Sequence, residues 1–237
     1  MENKAYADKT SWYYNLFKPG LAALIPEGPN TILDLGCATG TLGRGLKELN
    51  KAREMVGIEI FEEAATEAEK YYEKVFCGDV ERVSLDYDNY FDFVICGDIL
   101  EHLVDPWKIL RRIRGWLKSE GSVIISTANV RYWRVLRSLI FQGNWEYTEA
   151  GILDNTHLRF FTTKSLLKNL LEAGFDVEVM KVDVKGVKQR FANAITFRVF
   201  EEFLGSQIVT TGKKPLPLAE NQDASRVRRI EPPLQMT

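Results

Sequence analysis

Five acidic residues and both histidines of this chain sit where their spacing gives them chemistry to do. Asp34 stands two residues before Gly36 and six before Gly40 in the run Thr31-Ile32-Leu33-Asp34-Leu35-Gly36-Cys37-Ala38-Thr39-Gly40. Ile32, Leu33 and Leu35 predict a short buried strand, the two glycines let the backbone bend where a side chain would strike a ligand, and a helix is predicted from Thr41. This is the form of a nucleotide-cofactor loop. Glu59 closes a second apolar run, where a carboxylate can accept hydrogen bonds from both hydroxyls of a ribose. Asp79 follows Gly78 and reads either as an acceptor for an adenine amino group or as a turn residue capping a following helix. Gly97-Asp98 ends the apolar run Phe91–Cys96, at the carboxyl edge where α/β sheets bind ligands. His102 and His157 are the only histidines, and each reads either as a general base or as a hydrogen-bonded residue that fixes a loop. Arg159 reads as a partner for an acidic substrate group or as an anchor to a sheet carboxylate. On a short helix, Asp98, Glu101 and His102 share one face, and with His157 they offer oxygen and nitrogen ligands to a divalent metal.

The loop itself narrows the cofactor. A dinucleotide loop requires G-x-G-x-x-G, with the pyrophosphate on a helix N-terminus. Counted from Gly36, the second and third glycine positions are Ala38 and Thr41, so the pattern is D-x-G-x-x-x-G instead. A carboxylate beside the loop repels a pyrophosphate but favours S-adenosylmethionine, which carries an ammonium and a sulfonium and no phosphate.

These residues need a sheet to hold them. The chain has 237 residues, 45% of them hydrophobic, enough for one well-buried domain. Candidate strands at Thr31–Leu35, Glu54–Ile58, Lys74–Cys77, Phe91–Cys96 and Ser122–Ser126 alternate with helical patterns, which predicts an α/β fold with a mainly parallel sheet. One helix begins at Asp105 as N-cap with Pro106 behind it, puts Trp107, Leu110, Ile113 and Leu117 on one face, and is followed by a turn at Gly121. Another spans Thr163–Ala173 and stops at Gly174, before a strand at Phe175–Val184 and a closing strand at Gln207–Thr211. Residues 129–161 are too long for an ordinary connection and predict a lid, whose Tyr132, Trp133, Phe141, Trp145 and Tyr147 either line a substrate pocket or pack a small cap of their own. Residues 215–237 read as a flexible tail. Cys37, Cys77 and Cys96 lack CxxC spacing and even pairing, which suits buried reduced thiols. A net charge of −2 gives no bulk attraction to nucleic acid or anionic membrane. The absence of a signal-length or membrane-spanning apolar stretch predicts a cytoplasmic protein without a membrane span.

The segments LDLGCATG (33–40), GIEI (57–60), CGDV (77–80), FDFVICGDILEHLVDP (91–106) and GSVIIST (121–127) together resemble the class I S-adenosylmethionine-dependent methyltransferases, over about residues 10 to 212. Ala38 departs from the family's usual glycine. The nearest resemblance is to the ubiquinone-biosynthesis type of small-molecule methyltransferase and to relatives acting on sugars or lipid-linked glycans. It implies a Rossmann-like seven-stranded, mostly parallel sheet with an antiparallel last strand, helices on both faces and a helical lid, within a methyltransferase domain over residues 1–214. It also implies cofactor contacts at Asp34, Gly36, Cys37, Gly40, Glu59, Ile60, Asp79, Val80 and Gly97. The expected reaction is O-methylation of a small-molecule or glycan-linked acceptor, with His157 and His102 as candidate bases and Asp98, Arg159 and Trp133 against the substrate. Two alternatives stand beside it. The D-x-x-E-H turn resembles the metal site of small-RNA 2′-O-methyltransferases, with Arg131, Arg134 and Arg137 nearby for RNA, and the chain also suits a noncatalytic cofactor-binding subunit. A homodimer is compatible with either.

Overall fold

The computed structural model describes residues 17–184 and 200–217. A short helix, α1 (Pro19–Ala22), precedes an alternation of β1 (Thr31–Leu35), α2 (Thr41–Glu48), β2 (Glu54–Glu59), α3 (Glu62–Ala68) and β3 (Lys74–Cys77). Then come β4 (Phe91–Gly97), a single 3₁₀ turn at Leu100–His102, α4 (Pro106–Trp116), β5 (Leu117–Ala128) and α5 (Trp133–Gln142). The chain closes with α6 (Thr163–Glu172), β6 (Asp176–Asp183), α7 (Glu201–Leu204) and β7 (Gln207–Lys213).

The seven strands lie in the order β3-β2-β1-β4-β5-β7-β6, all parallel except β7, which runs antiparallel to both β5 and β6. β1 is buried at every position, as a central parallel strand covered on both faces must be. Alternate residues feed two cores. Leu33, Leu35, Val94, Cys96, Val123 and Ile125 pack with Ile109, Leu110 and Ile113 of α4 and Leu166 and Leu170 of α6. Ile32, Met55, Ile95 and Ile124 point the other way, against Leu21 of α1, Leu42 and Leu46 of α2 and Ala68 of α3. Strand order reverses between β1 and β4, and register pairs Leu35 with Cys96. The Gly36 loop and Gly97 therefore leave the sheet side by side, at the crevice where such folds hold ligands.

Several local expectations change. The buried stripe of α4 is Pro106, Ile109, Leu110, Ile113 and Trp116, whereas Trp107 is 38% exposed and Leu117 already belongs to β5. Trp107 lies one residue, about 100°, off a stripe that Ile109 and Trp116 set by 3–4 spacing. Gly121 lies within β5, at the end of a bulge where Phe91 pairs with Leu117 and Phe93 with Ser122. A Cβ at Gly121 would come within about 3 Å of three carbonyl oxygens. Between β3 and β4 no helix forms, so Asp79 caps none. Cys37 and Cys96 are buried but Cys77 is exposed, because β3 is the edge strand of the sheet. α6 opens on a capping box: Thr162 accepts from the Ser165 N–H, and the Ser165 hydroxyl accepts from the Thr162 N–H. The expected tail at 215–237 lies outside the described residues from 218 onward.

Candidate active site

The loop after β1 is pinned from both sides. The N–H groups of Gly36 and Cys37 donate to the Ile58 carbonyl at 2.9 and 3.1 Å, and Gly40, at φ +79°, caps the N-terminus of α2. A Cβ on Gly40 would meet the Ala68 Cα at 3.0 Å and the Tyr72 ring at 3.1 Å. Ala38 takes a left-handed conformation, φ +49°, which is strained for a residue with a Cβ. The strain is held by Glu59, whose Oε2 accepts from the Ala38 N–H at 2.9 Å. The other oxygen of Glu59 accepts from the N–H groups of Ile60 and Phe61 at 2.9 and 3.1 Å, which ties the loop to the start of α3. Burial raises the pKa of the Glu59 carboxyl and the three N–H groups lower it, with a net rise. Ile60 beside it is 56% exposed, an apolar surface at the mouth of the loop.

Asp34 is buried and turns to the α2–α3 side, where the Tyr72 hydroxyl donates to its Oδ2 at 2.7 Å. Burial pushes its pKa up to about 6, while the Tyr72 hydrogen bond and nearby Lys18 work against the rise. Asp79 forms an Asx turn to the Glu81 N–H at 2.9 Å and pairs with Arg82, with Val80 buried beside it. Across the crevice, Lys18 donates to the Gly97 carbonyl at 2.7 Å and pairs with Asp98 Oδ2 at 2.8 Å. Asp98, also left-handed at φ +57°, accepts from Ser126 and Gln207 through Oδ1 at 2.8 and 2.6 Å. Burial opposes ionisation of Asp98, but Lys18, Ser126 and Gln207 outweigh it and lower its pKa. Its carboxylate is thus committed to the protein itself.

Glu101 turns inward under β5, accepting from the Thr127 hydroxyl at 2.9 Å. Burial, and then the neighbouring Asp98 charge, push its carboxyl up to about 8. Its backbone carbonyl accepts from the N–H groups of Leu158 and Arg159 at 2.8 and 2.9 Å, so the end of the 129–161 segment is laced to the turn after β4. This lacing brings the two histidines together. Their rings meet edge to face at 4.7 Å between centroids. Nδ1 of His157 lies 2.9 Å from the Ile152 carbonyl, and Nδ1 of His102 lies 3.2 Å from the Thr156 carbonyl. A carbonyl only accepts, so Nδ1 is the donor in both rings, and in the neutral imidazole Nε2 then carries the lone pair. Phe160 stands beside His157 and stacks with Trp145 and Tyr147.

The structure therefore gathers His102 and His157, but not the metal cluster. Leu100–His102 is one 3₁₀ turn, with Asp98 outside it in a left-handed conformation, so the α-helical spacing that would align Asp98, Glu101 and His102 never forms. Among the described residues no group of three or more His, Cys, Asp or Glu side chains converges as a metal site. Arg159 turns away, bonding the Val104 carbonyl and covering Trp107. Trp133 opens α5 against Tyr132, and Phe141 is 82% exposed, so neither joins the aromatic wall. Arg131 pairs with Glu202 and lies over Phe203. The sequence reading missed Lys18 and Tyr72. Neither sits in a motif, and each reaches the site only by folding.

The donor set suits S-adenosylmethionine. The Glu59 carboxylate, the Gly97 carbonyl and the apolar Ile60 offer acceptors and a hydrophobic surface, with the Asp34 carboxyl buried behind the loop against Tyr72, and a Cβ at Gly40 or Gly97 would come to about 3 Å from its neighbours. The family described as "Methyltransferase domain" matches residues 11–179. Among solved structures, an S-adenosylmethionine-dependent methyltransferase from Mesorhizobium loti is 19% identical with a TM-score of 0.60, over 83% of this chain and 96% of that one. An S-adenosylmethionine-dependent methyltransferase from Archaeoglobus fulgidus is 20% identical with a TM-score of 0.58, over 79% and 87%. The cyclase SpnF is 19% identical with a TM-score of 0.57, over 84% and 80%. At these identities the likeness is one of fold, and the cyclase shows that the fold alone does not fix the reaction. A comparison with curated proteins finds no match. No helix among the described residues is long and apolar enough to cross a membrane.

Proposed function

Since the chain belongs to the methyltransferase-domain family and is an S-adenosylmethionine-dependent methyltransferase, we propose that it methylates a hydroxyl oxygen of a small or glycan-linked acceptor. S-adenosylmethionine supplies a methyl group made electrophilic by its sulfonium. The observation that carries the reading is the histidine pair, each ring bonded through Nδ1 to a carbonyl so that Nε2 is the basic nitrogen, with His157 beside Phe160, which Trp145 and Tyr147 flank. A hydroxyl, unlike an amine, must shed a proton as its oxygen attacks, and an imidazole Nε2 takes that proton at neutral pH. Aromatic faces orient a sugar or phenol ring and exclude water, which is most of what an in-line displacement asks of a protein. The Gly36–Gly40 loop and Glu59 hold the cofactor, Glu59 through its remaining lone pairs toward the ribose. His157 is the first candidate base and His102 the second.

Titration of the purified protein with S-adenosylhomocysteine tests the foundation, and absence of binding overturns it. Glu59→Ala leaves the N–H groups of Ala38, Ile60 and Phe61 without their acceptor and releases the strained loop, so affinity is expected to fall by about tenfold or more. Once an acceptor is found among sugar and phenol hydroxyls, His157→Gln is expected to lower kcat by about 100-fold or more with cofactor affinity unchanged. Full turnover in both His157→Gln and His102→Gln removes the base.

A further inference from the structure

Behind His102 lies a buried carboxylate that the reaction as described does not use. Asp154 is 1% exposed, in the lid loop that carries Thr156 and His157. Its Oδ1 accepts from the Thr156 backbone N–H at 2.9 Å and from the Thr156 hydroxyl at 2.6 Å. An oxygen that accepts a backbone N–H acts as an acceptor, so the hydroxyl proton points at Asp154 and a hydroxyl lone pair is left toward His102. That lone pair meets Nδ1 of His102 at 3.1 Å, alongside the Thr156 carbonyl at 3.2 Å. Both of these groups face Nδ1 as acceptors.

We propose that Asp154 is a positioning residue which, through the Thr156 hydroxyl, holds His102 as its Nδ1–H tautomer and so keeps the basic lone pair on Nε2. The proposal rests on the reading of the histidine pair as the source of the base, and it concerns His102, the ring that the Thr156 hydroxyl meets. Thr156 relays the effect because a hydroxyl has one proton. While that proton is bound to Asp154, the oxygen can only accept from His102. When it is released, the hydroxyl turns and donates to Nδ1, which drives the ring proton to Nε2 and removes the base. A tautomer error of this kind leaves the geometry intact and disables the imidazole.

With two histidines in the chain, imidazole ¹⁵N–¹H correlation spectra of the full-length protein give two patterns, and His102→Gln assigns them. At a pH where both rings are neutral, the wild type is expected to show the Nδ1–H pattern at His102, and an Nε2–H pattern there overturns the proposal without any substitution. Asp154→Ala is expected to move the His102 tautomer ratio toward Nε2–H by about fivefold or more, the equivalent of one net hydrogen bond, with an unchanged far-ultraviolet circular dichroism spectrum as the control for folding. Asp154→Asn, which keeps an oxygen in place, is expected to retain the wild-type ratio. Asp154→Ala combined with Thr156→Val is expected to return it, because valine has no hydroxyl to turn. A ratio unmoved in Asp154→Ala, or moved equally in the double variant, shows a merely structural carboxylate and overturns the relay. If the tautomers behave as expected but His102→Gln keeps full turnover, the positioning stands and the assignment of the base falls instead.

Discussion

Replacing Gly43 with alanine is expected to destabilise the protein by about 1–3 kcal/mol, although helix propensity alone gives the opposite sign. Gly43 lies inside α2, where alanine ordinarily gains up to about 1 kcal/mol over glycine. Here the added Cβ would stand 2.3 Å from Tyr72 Cε2, 2.6 Å from Cζ and 2.8 Å from Oη. Tyr72 is buried and cannot give way freely: its hydroxyl donates to Asp34 and lies 3.2 Å from the Gly43 N–H. Moving the ring breaks the hydrogen bond that holds the Asp34 carboxyl, two residues before the loop bends at Gly36, and leaves a buried acid without its partner. The overlap therefore outweighs the propensity gain, and the damage reaches the cofactor loop. Chemical denaturation of Gly43→Ala reads the first effect, and titration with S-adenosylhomocysteine reads the second as weakened binding. A variant more stable than wild type shows that Tyr72 does not occupy this position.

The second large effect is a gain. Glu101→Gln is expected to stabilise the protein by about 1–3 kcal/mol at pH 8 and to leave it nearly unchanged at pH 4. The Glu101 carboxyl has an ordinary value of 4.5 and is raised to about 8 by burial, reinforced by the Asp98 charge. Below pH 4.5 both folded and unfolded chains hold the proton and nothing is lost. Between about 4.5 and 8 the folded chain keeps a proton that the unfolded chain releases, so the unfolded state binds fewer protons and stability falls as pH rises. Above pH 8 the penalty is complete, with a charge buried beside another. Glutamine has no charge to bury and can still bond the Thr127 hydroxyl. Thermal unfolding of the two proteins across this window is expected to give curves that diverge with rising pH. Parallel curves place the Glu101 side chain in water. Asp34, raised to about 6, adds a similar but narrower decline to both proteins and cancels in the comparison.

Much of the architecture was readable from local pattern. Short, mostly apolar runs marked β1, β2, β4 and the middle of β5 to within a residue or two, with glycines closing β1 and β4, because strands covered on both faces are predominantly apolar. The choice of a sulfonium cofactor over a dinucleotide also came from one contiguous stretch, Asp34 to Gly40. The stripe of α4 was misjudged because Trp107 and Trp116 are equally apolar on paper, and only packing against the sheet shows which is covered. The metal-like spacing of Asp98, Glu101 and His102 assumed an α-helix, and the backbone made a single 3₁₀ turn instead.

By itself the sequence determined the order of the elements, the bends of the cofactor loop and the residues at the carboxyl ends of the strands. These depend on neighbours a few positions apart. Tertiary structure alone decided what those residues touch. Tyr72 reaches Asp34 across 38 positions, Lys18 reaches the Gly97 carbonyl across 79, Gln207 reaches Asp98 across 109 and Thr156 reaches His102 across 54. Periodicity carries no information about such pairs. They exist because strand order reverses between β1 and β4 and Leu158 and Arg159 are laced back to Glu101, so distant polar groups desolvated at one edge must satisfy one another.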